Sequence, residues 1–171
     1  MDLDEALKPV RRLLIEDGAD GVRDAAVAVS AARAALVGGA DAPTLWELAV
    51  LPEWDHLEAR RLLAAVAEEL GPALRLPVSS QECEWAQARY ALEDLLAGRL
   101  SPEGAAWRIH CLLIAYDPGS PLWPIGAFVH HAEERQYVSD ARYAELVAEL
   151  HELARGVLAE PADPADLADR G

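Results

Sequence analysis

The chain has 171 residues, 52% of them hydrophobic, and carries 30 acidic against 15 basic side chains for a net charge of -15. This length suits a single domain with a sizeable core, and the charge repels nucleic-acid phosphates and anionic lipid, which argues against direct nucleic-acid binding and for a protein partner with a basic surface. One lysine, Lys8, and no asparagine give the composition a bacterial-type, high-GC character.

Helical periodicity runs through the chain, and no segment alternates like a strand for long. Leu3, Leu7, Val10 and Leu14 form a stripe over Asp2–Asp17, with Pro9 marking a kink or the true first turn. Val22, Ala26, Val29 and Leu36 define a small-residue helix from Asp20 to Val37, closed by Gly38-Gly39. A short helix follows over Asp41–Leu51, with Pro43 in its first turn and Pro52 beyond its end. Asp55 with Glu58 resembles a capping box ahead of Ala59, Leu62, Leu63, Val66 and Leu70, and Gly71-Pro72 stops that run.

Ser79 with Glu82 repeats the cap before Trp85, Ala88, Leu92, Leu95 and Leu96, and Gly98 closes the fifth helix. Ser101-Pro102 opens a sixth, expected to reach Tyr116. Its stripe Ala105, Ile109, Leu112, Leu113 and Tyr116 is backed by a second apolar face with Trp107, Cys111 and Ile114, which predicts a central, buried helix. A seventh helix is expected over about 122–136, and Ser139 caps an eighth with the stripe Tyr143, Leu146, Val147, Leu150, Leu153, Ala154 and Val157 despite Gly156. The expectation is an all-α, single-domain bundle of about seven to eight helices over 1–159, with 102–116 and 122–136 at its centre. Residues 160–171, EPADPADLADRG, read as an acidic, disordered tail. Leu45-Trp46 before Val66–Gly71 is echoed by Leu122-Trp123 before Val147–Leu150, as a degenerate duplication of helical hairpins would leave.

No apolar run approaches the roughly 20 residues that span a bilayer, and the N-terminus has no apolar signal region, so a soluble, cytoplasmic protein is expected. Cys83 and Cys111 lack CxxC or metal-type spacing, so neither a disulfide framework nor a zinc knuckle is expected. No GxGxxG, Walker loop, GxSxG or HExxH occurs, so no catalytic residues and no cofactor are assigned, and the reading leans away from an enzyme.

The segment HHAEER gathers His130, His131, Glu133 and Glu134. On a helix burying Ile125, Phe128, Val129 and Ala132, His130 projects with Glu133, Glu134 and Tyr137 onto the opposite side, and His131 towards Arg135. A solvated, salt-bridged face explains this best, and no metal is assigned; His130, Glu133 and Glu134 are the fallback ligands, since a metal needs at least three converging donors. His110 and Cys111, adjacent on a helix, point about 100° apart and make no nucleophile–base pair; a buried Cys and a hydrogen-bonded His are expected. His56 and His151 read as surface residues. Trp46, Trp54 and Trp123 would be partner anchors if exposed, although core packing is expected for most of them.

Residues 91–112, ALEDLLAGRLSPEGAAWRIHCL, resemble the helix, Gly-containing turn and Ser/acidic-capped helix of small helical immunity proteins of the colicin D type. The resemblance implies a protein that binds and blocks a toxic nuclease, and it assigns no inhibitory residue. The function expected is an acidic protein–protein interaction module, immunity-like or regulatory, with Trp123, His130, Glu133, Glu134 and Tyr137 as partner-binding residues. The alternative is an enzyme or a small-molecule- or metal-binding helical protein using a His/Glu pocket around His110 and His130.

Overall fold

A computed structural model describes residues 2–17 and 24–159, with the side chains of 113, 114, 132, 133 and 136 excepted. Residues 20–23 of the expected second helix and the tail 160–171 lie outside the described residues. The chain is all-α: eight α-helices and no strand occur among the described residues, and none of those helices is long and apolar enough to cross a membrane. The helices gather into two compact units, residues 1–77 and 78–171.

The first unit contains α1 (Leu3–Glu16), α2 (Ala25–Val37), α3 (Pro43–Ala49) and α4 (His56–Leu70), followed by a 3-10 turn at Gly71–Leu74. Asp2, Asp24 and Asp55 start α1, α2 and α4 by accepting first-turn amides, which satisfies donors that a helix end otherwise leaves unpaired. Pro9 lies within α1 rather than at its start. Leu7, Val10, Leu45, Leu48 and Leu63 are fully buried around the alanines of α2, whose short side chains let its neighbours approach. Arg11 ties α1 to the end of the unit: its Nε donates to the Leu74 carbonyl at 2.6 Å and its Nη2 to Asp4 at 2.6 Å. That bond to Arg11 holds the Asp4 carboxyl below the usual carboxylate range.

The second unit contains α5 (Ser80–Leu96), α6 (Pro102–His110), α7 (Trp123–Glu133) and α8 (Asp140–Ala159), with 3-10 turns at Leu113–Tyr116 and Arg135–Tyr137. Ser79 accepts the Glu82 amide while the Glu82 carboxylate accepts the Val78 amide at 2.8 Å, the two halves of a capping box. Gly98, with φ of 68°, turns the chain out of α5, and the buried Asp94 holds that turn through a 2.7 Å bond from Arg99. Leu92, Ile109, Leu122, Ile125 and Leu150 form the fully buried centre of this unit.

Among the described residues each unit holds four α-helices, and the echoed segments fall in or directly beside the third and fourth helix of each. The packing differs, however: α4 packs on α2 and α3, whereas α8 packs on α5 and α7. The sixth helix is also shorter than its periodicity predicts. It ends at His110, Leu112 is extended (φ -90°, ψ 137°), and 113–116 forms a separate turn. Ala105, Ala106 and Ile109 are buried as expected, but Trp107 and Cys111 are exposed, because the shortened helix buries one face and not two. Likewise α7 stops at Glu133, three residues before the expected 136.

Two glycines test this packing. At Gly38, whose φ is an ordinary -70°, a Cβ would lie 2.6 Å from the Ala6 Cβ, whereas at Gly156 it would meet nothing within 4 Å. Gly38→Ala is expected to destabilise by about 1–3 kcal/mol through overpacking, and Gly156→Ala to stabilise by up to about 1 kcal/mol through helix propensity. Urea denaturation of the two variants measures both. A neutral Gly38→Ala would contradict the close approach of the end of α2 to α1.

Candidate functional site

The early end of α6 sets the geometry of a surface cluster in the second unit. Gly126 of α7 lies against the end of α6, where a Cβ would sit 3.5 Å from the His110 Cα, so the two helices meet closely at His110. After Leu112 the chain folds back and brings Tyr116 to the same place. The His110 ring then has three aromatic neighbours: Trp107 stacked at 5.9 Å and 30°, Tyr116 at 5.4 Å, and His130 of α7 edge-on at 6.0 Å and 81°. The Tyr116 hydroxyl and His110 Nε2 are hydrogen-bonded at 3.3 Å.

These separations are those of rings in direct contact, so the four rings form one aromatic cluster. Trp107 is 57% exposed, Tyr116 53% exposed, and His130 also faces solvent. Aromatic side chains bury about 150–250 Å² each when covered, so this surface holds unspent apolar area. The same pattern recurs among the tryptophans. Four of the five, Trp46, Trp54, Trp107 and Trp123, are exposed, and only Trp85 packs against a core. The expected core packing for most of them is therefore overturned.

A second cluster is structural. The Tyr143 hydroxyl of α8 donates to the Glu103 carboxylate in the first turn of α6, Phe128 lies 6.1 Å from the Tyr143 ring, and the Arg135 guanidinium sits 4.4 Å above it. Arg135 also pairs with Asp140 at 2.6 Å. Burial, and then the bond to Glu103, push the Tyr143 phenol up to about 12, while the same bond holds the Glu103 carboxyl below its usual range. The cluster fastens the start of α8 to α6 and α7.

Of the residues singled out in the sequence, the structure brings His130 and His110 together. His131 packs edge-on against Phe128 at 6.2 Å, on the helix face three residues back from it. Glu134 is exposed and its backbone N–H donates to the His130 carbonyl at 3.1 Å; Tyr137 lies 81% exposed in the turn after α7, and Trp123 is exposed at the start of α7. The side chain of Glu133 lies outside the described residues. No three His, Cys, Asp or Glu among the described residues are placed to hold a metal ion. His56 is exposed and His151 partly buried. Cys111 is exposed rather than buried. Trp107 and Tyr116 were not expected at the surface, since helical spacing assigned both to buried faces of a longer helix. No family model, curated protein or solved structure matches the chain.

The Tyr143–Glu103 bond predicts a pH signature. Tyr143 has a folded pKa above its unfolded value of 10.0, so its contribution is full below pH 10 and is lost as pH rises through about 12. Glu103 is lowered from 4.5, so its contribution is present above pH 4.5 and is lost as pH falls through the lowered value. Absorbance titration of the phenols should show a phase near pH 12 that vanishes in Tyr143→Phe. The stability difference between wild type and variant should stay below about 1 kcal/mol, as for other solvent-screened pairs, and shrink at both extremes. A difference that stays constant as pH rises from 10 through about 12 would contradict the bond.

Proposed function

We propose that the chain is an acidic protein–protein interaction module of the cytoplasm, and that the surface formed by Trp107, His110, Tyr116 and His130 is its contact site. The observation that carries this reading is the placement of tryptophan in water: four of five are exposed, and one of them is stacked into a four-ring cluster. Tryptophan and tyrosine are over-represented at binding hot spots because they deliver large contact area at little entropic cost. An exposed cluster held together by its own ring contacts is ordered before a partner arrives, which lowers the cost of association.

The net charge of -15 supports a basic partner. Carboxylates accelerate encounter, and the aromatic rings then supply contact area. In this scheme inhibition is steric and electrostatic, as in an immunity-like or regulatory protein. A second reading, small-molecule binding or catalysis at His110 and His130, draws on their 6.0 Å ring approach. It is the weaker of the two, because no third His, Cys, Asp or Glu among the described residues joins them as a metal-binding group.

A photo-crosslinking amino acid at position 107 identifies the partner, and titration of the purified partner then tests the site. Trp107→Ala is expected to weaken binding at least tenfold, on the order of the 2 kcal/mol that defines a hot spot. Raising ionic strength should slow association several-fold with little change in dissociation. Equal affinity of wild type and Trp107→Ala would overturn the assignment of the site, and binding insensitive to salt would remove the electrostatic part.

A further inference from the structure

A groove of about 630 Å³ in the second unit, which shares no lining residue with the ring cluster, runs between α8 and the start of α7. Pro121 and Pro124 form one wall, and Leu153, Gly156 and Val157 of α8 form the other. Glu149 and Glu152 complete the lining. A small-molecule site encloses most of its ligand; this groove is open along its length, which suits a chain segment better. Three observations bear on its occupant.

The first is Gly156. Gly156 lies in the last turn of the 20-residue α8, where glycine costs up to about 1 kcal/mol relative to alanine, and here neither neighbouring atoms nor a positive φ require it, since a Cβ would meet open space. What the missing side chain provides is room for another chain to approach the α8 backbone. The second is charge. Glu145, Glu149, Glu152 and Gly156 recur at i, i+4, i+7 and i+11, so one face of α8 carries three carboxylates leading to the open glycine. Arg142 pairs with Glu145 and Glu149, and Arg155 with Glu152. Such exposed pairs are weak and exchangeable, and they leave three carboxylates against two guanidiniums. The third is Leu153, which is 40% exposed although it lies on the apolar stripe of α8.

Taking the interaction reading one step further, and resting on it, we propose that this groove docks a basic amphipathic segment of the partner, with its apolar side chains over Leu153 and Gly156 and its Lys or Arg on Glu149 and Glu152. The chain's own residues 160–171 are not suited to the site: they carry Glu160, Asp163, Asp166 and Asp169 against Arg170. A second copy would set the same row of carboxylates against itself.

The test uses the full chain and two synthetic 14-residue helical peptides, one of Leu and Lys in amphipathic register and one with each Leu replaced by Gln. The Leu/Lys peptide is expected to shift the backbone amide resonances of Leu153–Val157. Gly156→Trp, which fills the groove, and the double variant Glu149→Lys/Glu152→Lys should each weaken it at least tenfold by fluorescence anisotropy. Trp107→Ala should leave its affinity within twofold, and the Gln peptide should bind at least tenfold less tightly. Gly156→Ala, which adds only a methyl group, serves as the folding control, with its melting temperature and resonance dispersion compared with wild type. Shifts centred on His110 and Trp107 would overturn the groove and leave the ring cluster as the binding surface. Undiminished affinity in a folded Gly156→Trp, or no binding of the Leu/Lys peptide, would also overturn it, while the crosslinking result at position 107 stands or falls separately.

Discussion

The pairing of α6 with α7 is the constraint on which the second unit depends. Ile109, Ile125 and Phe128 are buried together, and Gly126 brings the α7 backbone up to His110. An α6 continuing to Tyr116 would carry the chain past this junction with no return to Trp123. Instead the helix stops at His110, Leu112 becomes extended and the chain turns back over 113–116. The stop that permits the pairing also gathers Tyr116 and His130 onto His110, so the core and the aromatic surface come from one event in the chain.

Local chemistry made much of the fold legible in the sequence. Asp55 with Glu58 and Ser79 with Glu82 mark helix starts that the structure realises through side-chain to backbone bonds, and Gly98 takes the left-handed conformation expected of a helix stop. The stripes Leu62, Leu63, Val66 and Leu92, Leu95 are buried as their spacing predicts. The site was much less legible. Periodicity says which residues share a face, but not whether a neighbouring element covers that face. Trp107 therefore counted as core, because a helix reaching Tyr116 would be apolar on two sides. The 20-residue separation of His110 and His130 carries no local signal either, since their approach depends on how α7 returns. Trp107 does stand off the Ala105–Ile109 stripe and next to Arg108, and that offset is the one sequence signal that pointed to solvent.

The exposed features of the second unit divide into two kinds. Glu103, Tyr143, Arg135 and Asp140 satisfy one another and fasten α8 to the rest of the unit; their polar groups are already committed. Trp107, Tyr116 and Leu153 expose apolar area that the fold does not use. Scattered apolar residues are normal on protein surfaces, but contiguous aromatic area is characteristic of contact sites. In the proposed interaction, such area would set where a partner is held, and the net negative charge would favour a basic one.

The central claim is that the aromatic cluster around His110 becomes covered when the protein performs its function. Hydroxyl-radical footprinting, with and without the crosslinked partner's purified form, measures that directly. The account predicts strong protection of Trp107 and Tyr116 on complex formation, with Trp85, already packed against the core, unchanged. Full reactivity of Trp107 and Tyr116 in the complex, with protection confined to Trp46 and Trp54, would contradict it.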